Sequence, residues 1–187
     1  DVMVYTAQVV KPGGLTANIA LAPYHNVQYS QDGDNTLIMR GTLANGEVFE
    51  GRMHVRTRGG SARLHLPYAE VQVSYGGRKD AMFAECAPSH LPYVEVSGAD
   101  AVEIYVTLAT NYKMSYADHW RGEDPAVHNS RVLSAALEKG VAAIRENHRR
   151  DFASFYNRMS VDFGETVGPL ADSPTDLRLT SYRTRYD

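Results

Sequence analysis

The chain has 187 residues, 43% of them hydrophobic and 22% charged, with a formal net charge of −3. A chain of this length buries roughly 70% of its unfolded surface and suits one domain. The faintly acidic balance lacks the basic excess of a nucleic-acid binder, and no apolar run approaches the ~20 residues of a membrane-spanning helix. The single cysteine, Cys86, has no partner for an internal disulfide, so it gives no reading of redox compartment.

The chain opens on Asp1 and runs straight into VMVYTAQVV (2–10), a continuous β-prone stretch. A start without Met fits removal of a signal or of a preceding region. KPGG (11–14) supplies a turn, and LTANIALA (15–22) alternates Leu15, Ala17, Ile19 and Leu21 against polar or small residues. NVQYS and TLIMRGTL read as two strands around QDGDN, and Asn45–Gly46 marks a tight hairpin because both residues tolerate positive φ.

The next strand, EVFEGRMHVRTR, places Phe49, Met53 and Val55 on one face and Glu50, Arg52, His54, Arg56 and Arg58 on the other. The charged row reads as a solvated face, with docking of another domain as its second reading. Residues 59–92, broken by Pro67, Gly76, Gly77, Pro88 and Pro92, read as a long excursion holding two or three strands. ADAVEIYVTLAT (99–110) is the cleanest strand, with Val102, Ile104, Val106 and Leu108 on one face. Short strands at regular spacing indicate an antiparallel sandwich.

After Lys113 the pattern changes. MSYADHWRGEDPAVHN is an aromatic, polar loop, and a helix then starts at Asp124–Pro125 or at Asn129–Ser130 and ends or bends at Gly140. A second helix carries Val141, Ile144, His148, Phe152, Phe155 and Met159 on one stripe, which predicts packing on the sheet. Met159, Val161 and Phe163 then alternate like a short strand, and Ser173–Pro174 starts a last helix. The layout is a β-sandwich segment over 1–113, a connecting loop over 114–128, a helical linker over 129–158, and a strand and tail over 159–187. The fold class is mainly β: an antiparallel β-sandwich followed by a two-segment α-helical linker.

No P-loop, dinucleotide fingerprint, HExxH, CxxC or nucleophile elbow is present. Asp118, His119, Asp124 and His128 are the one set with metal-like chemistry, at irregular spacing on a loop; a solvated polar loop is the plainer reading. Asp32–Asn35 resembles part of a calcium loop without its later ligands, as a turn would. Glu95, Asp100 and Glu103 are the carboxylates that glycoside chemistry would draw on, but they alternate with apolar residues as outward strand positions do. Tyr116, His119 and Trp120 are the candidate substrate-binding residues, because loop aromatics can stack on sugar faces; the plainer reading makes them anchors of the loop.

Four pieces in order carry a resemblance. Thr110, Asn111, Tyr112 and Lys113 end a strand. His148, Asp151, Phe152, Phe155 with Tyr156, and Arg158 form a helical pattern. Val161, Phe163 and Gly164 follow, and then Pro174, Thr175, Asp176, Arg178 and Leu179. Their order and spacing are similar to glycoside hydrolase family 95, the 1,2-α-L-fucosidases and related α-L-galactosidases. The resemblance implies the second half of an N-terminal β-supersandwich plus the linker to an (α/α)6 barrel. It further implies that the inverting chemistry belongs to that barrel, so no catalytic residue, cofactor or metal ligand is assigned here. The implied partners are the barrel and the preceding sandwich half of the same polypeptide, with fucosylated glycans reached through the parent enzyme, and the implied location is extracytoplasmic. Two other readings stand beside it: a stand-alone carbohydrate-binding module using Tyr116, His119 and Trp120, and a metalloprotein built on Asp118, His119 and His128.

Overall fold

Three strands bend together at one corner of the structure, and that corner sets the architecture. The structure is a computed structural model and describes residues 1–23, 25–67, 70–71, 91–162, 164 and 172–184. Cys86 and any strands within 72–90 lie outside the described residues. The chain divides into two units, Asp1–Glu146 and Asn147–Asp187.

In the first unit, strands β1 (Met3–Gln8), β9 (Ala101–Thr110) and β5 (Val48–Arg58) lie side by side in one sheet. They continue into β2 (Leu15–Ala20), β8 (Tyr93–Ala99) and β6 (Ser61–His65), which lie side by side in the second sheet in the same order. Asp100 holds the three bends together. Its carboxylate accepts from Gly13 N (2.7 Å), its amide donates to Arg58 O (2.8 Å), and its carbonyl accepts from Val9 N (3.0 Å). The Asp100 considered as a catalytic carboxylate is therefore a corner staple. Gly60 occupies the β5–β6 bend at φ 58°, and a Cβ there would collide with the Ser97 carbonyl, so only glycine fits.

The larger sheet is completed by β4 (Thr36–Thr42), β3 (Val27–Gln31) and the two-residue β7 (Glu70–Val71), in the order β1-β9-β5-β4-β3-β7, every pair antiparallel. The Asn45–Gly46 hairpin forms as predicted, with Gly46 at φ 81°. Leu37, Met53, Val55, Val94, Val96 and Val102 meet between the sheets and form the core. The antiparallel sandwich expected from the alternation is the fold observed. It is mainly β, with helices after it.

Two helices follow β9: α1 (Pro125–Lys139) and α2 (Val141–Tyr156). Helix α1 begins at Pro125, four residues before the boundary at 129 and at the first of the two predicted starts, because Asp124 caps it and accepts from Ala126 N at 2.8 Å. Gly140 ends it at φ 76°, donating to Ala136 O, and α2 starts on the next residue. Helix α1 packs on the outer face of β9 and β5, where Leu133 and Ala136 cover Tyr105.

The predicted stripe on α2 splits. Val141 and Ile144, together with Val2 and with Val4 of β1, pack against the cluster of Tyr105, Leu133 and Ala136. In the second unit the stripe is uncovered: Phe152 is 56% and Phe155 65% exposed, and Met159 is exposed too. The expectation that the whole stripe is covered is thus corrected: Val141 and Ile144 are packed, whereas Phe152, Phe155 and Met159 are not, because periodicity gives a helix an apolar side without fixing what meets it. Residues 159–162 form neither helix nor strand, so the predicted strand there is also corrected for its described part; Phe163 lies outside the described residues. Helix α3 (Thr175–Thr184) forms at the predicted Ser173–Pro174 start and exposes Leu177, Leu179 and Tyr182.

Burial decides what substitutions cost. Leu133→Ala should destabilise the chain by about 2–5 kcal/mol, whereas Phe152→Ala and Phe155→Ala should each stay within about 0.5 kcal/mol. Chemical denaturation of the three variants measures this; a large loss at Phe155 would mean that its ring is covered.

Candidate functional site

The charged row of β5 is not simply a solvated face: Glu50, Arg52 and Arg56 seat α1, while Arg58 at its end is exposed. Glu50 is only 3% exposed and lies between two guanidinium groups, with Arg52 Nε at 2.7 Å and Arg40 Nη1 at 3.2 Å. Such a buried carboxylate is tolerated only when fully paired. Arg40 reaches onward to Asp124 with two hydrogen bonds of 2.9 and 2.7 Å, joining the strand to the cap of the helix. Arg52 donates to Ala126 O, Arg56 donates to Leu137 O, and buried Asn129 donates its amide to Glu50 O at 2.9 Å. The polar row and the helix meet along almost the whole length of α1, while Asn129 Oδ1 and the Thr107 hydroxyl stay buried without a hydrogen-bond partner among the described residues.

This clamp fixes both ends of the loop between β9 and α1. At the near end Asn111 Oδ1 accepts from Val48 N, Tyr112 pairs with Arg121 in an isolated bridge, and Gly122 N donates to Asn111 O. Arg121 ties the loop to the β4–β5 turn through Asn45 O at 2.6 Å. Lys113 and Asp118 form an ion pair of 2.6 Å across it. The Asp118 carboxyl is held below the usual carboxylate range by hydrogen bonds from Lys113 and Ser115 and by the lysine's charge.

Within this frame Tyr116 and Trp120, both predicted as binding residues, meet edge to face with ring centres 6.4 Å apart. Tyr112, which sequence reasoning passed over, joins them: its ring lies within 4° of parallel to Trp120, with centres also 6.4 Å apart. Tyr112, Tyr116 and Trp120 are 50%, 82% and 42% exposed, so the buried-anchor reading fails. His119 lies beside them in the chain. His119 and Trp120 have φ of 51° and 61°, the left-handed region that non-glycine residues seldom adopt.

The other candidates disperse. Asp118 pairs with Lys113, Asp124 with Arg40, and His128 lies against Arg131, and no three metal-type side chains gather among the described residues. Glu95 pairs with His65 at 2.9 Å, and Glu103 accepts from the Tyr105 hydroxyl. The Asp32–Asn35 stretch is a turn, with Gly33 at φ 68°. No family model matches the chain, and no curated protein matches it.

The clamp has an acid limit. Hydrogen bonds from Arg40 and from Ala126 N, with the arginine's charge, lower Asp124 to about 2. An unfolded aspartate titrates near ~3.9, so the folded state favours the ionised carboxylate. Its contribution to stability is complete above about pH 4 and fades as pH falls towards about 2. Asp124→Asn keeps a competent cap but loses the charge, so its stability deficit against the parent should shrink through that window. A deficit that stays constant from neutral pH to about pH 2 would contradict the pairing.

Proposed function

We propose that this chain is a non-catalytic β-sandwich segment and helical linker of a larger glycoside hydrolase similar to the family 95 inverting α-L-fucosidases. The observation that carries the reading is the exposure of the very residues on which the resemblance rests. Phe152, Phe155 and Tyr156 form a solvent-facing aromatic row, with Phe152 and Tyr156 stacked at 5.2 Å, and Leu179 of the fourth piece is exposed as well. An amphipathic helix with its apolar side in water gains little by folding alone. An apolar surface of that kind marks a contact with another body of protein.

A feature of the sandwich supports the same reading. Among the described residues, three strands face a six-stranded sheet. Met3 and Tyr5 sit opposite Val106 and Ile104 in register, on the core side of β1, yet both are exposed, as is Leu108. Among the described residues no strand pairs with the outer edge of β2, an edge on which a further strand could add. In the proposal the preceding sandwich half supplies that strand, and the barrel covers the aromatic row of α2.

The test compares this chain with the longer polypeptide extended in both directions. The chain alone should bind a hydrophobic dye, scatter light as associated species, and leave an aryl α-L-fucoside unhydrolysed. The longer polypeptide should be dye-silent and should turn the fucoside over with inversion. A dye-silent monomer from this chain, or turnover by it that a carboxylate substitution within it abolishes, would overturn the proposal.

A further inference from the structure

We propose that Tyr112, Tyr116 and Trp120 form a preorganised platform for a neutral saccharide, separate from any hydrolytic site. The cluster is exposed and yet rigidly framed. Trp120 donates its amide to Ser115 O at 3.0 Å, and its carbonyl accepts from Lys113 N and from the Arg121 guanidinium, each at 3.2 Å. Its backbone is held in the left-handed region, as is that of His119. Strain of this kind persists where the surroundings over-determine it, and here the frame keeps a large aromatic ring in water. Because the ring is already fixed, little ordering cost remains for a ligand.

The chemistry of the surface selects the ligand class. An aromatic face carries partial negative charge, which attracts the polarised C–H bonds on the apolar face of a pyranose. The tyrosine hydroxyls and the indole N–H supply hydrogen-bonding groups at the rim for sugar hydroxyls. Tyr112 stacks on Trp120 and Tyr116 meets it edge-on, and all three stay part exposed, so the cluster presents aromatic faces and edges together to a ligand with an apolar face and a polar periphery. A nucleic-acid strand also stacks on aromatic rings but needs cations along its backbone. The loop's cations are engaged elsewhere: Lys113 is paired with Asp118, and Arg121 serves the carbonyls of Asn45 and Trp120. With a net charge of −3, the chain gives a polyanionic strand no long-range attraction. The platform is independent of the hydrolase reading, since either can hold without the other.

Trp120 is the only tryptophan in the chain, so fluorescence excited where tyrosine does not absorb reports on the platform. The whole chain is titrated with lactose, with 2′-fucosyllactose and with cellohexaose, and separately with a decaproline peptide. At least one saccharide should give a saturable fluorescence change in the millimolar range that added salt leaves unaltered. By calorimetry, Tyr112→Ala should weaken that saccharide about tenfold, a change of about 1.4 kcal/mol. Trp120→Phe should weaken it less than Trp120→Ala does, and Phe155→Ala should bind as the parent does. No saturable response to any of the three saccharides overturns the proposal. So does undiminished binding by a folded Trp120→Ala variant, or a response to decaproline alone, which would make the surface a peptide site.

Discussion

A single carboxylate organises the outer half of this structure. Glu50 projects from the middle of the central sheet onto a face that would otherwise be solvated, between Arg40 and Arg52. Once the face is covered, each charge on it must find a partner. Helix α1 provides partners for the guanidinium groups of Arg40, Arg52 and Arg56 through the Asp124 cap and the carbonyls of Ala126 and Leu137, and its Asn129 amide donates to the Glu50 main-chain carbonyl. Removing one member of a buried pair of this type costs about 3–5 kcal/mol. The arrangement also has a specifying role. A purely apolar face would let an amphipathic helix slide, whereas Arg40 reaching the Asp124 cap fixes the position at which α1 begins. That start fixes the span of the loop from Asn111 to Asp124, and thereby the setting of Trp120.

The strands were legible because two-residue alternation has one simple cause, a sheet with one face in a core. The corner was not legible. Asp100 resembled any outward carboxylate, and only its three hydrogen bonds give it a role. The row from Glu50 to Arg58 misled for a related reason. A charged strand face has the same residue pattern whether water or a polar helix neutralises it, and the helix that does so lies some 75–80 residues further on, as in Arg52 with Ala126 and Asn129 with Glu50.

The stripe from Val141 to Met159 shows the converse limit. Periodicity reveals that a helix has an apolar side but not what meets it, and here only Val141 and Ile144 find the sheet. The alternation at Met159 and Val161 was too short to imply pairing, and without a partner strand no strand forms there. Tyr112 was overlooked because it falls at a strand end, eight residues before Trp120. Only the bridge between Tyr112 and Arg121 folds the loop back and brings the two rings together. The exposed cluster, the bare corner at Met3 and Tyr5, and the aromatic row of α2 are three different surfaces. The last two are uncovered continuations of packed faces, whereas the first is held in the open by its own hydrogen bonds.

Native-state hydrogen exchange of the whole chain tests the central claim, that α1 is an integral layer seated on the polar row of β5. The amides of α1 from Asn129 to Gly140 should exchange only with the global opening that releases β5 and β9, while those of α2 beyond His148 exchange orders of magnitude faster. Amides of α1 that exchange as fast as the second half of α2, with β5 and β9 still protected, would show that Glu50 and its partners do not hold the helix.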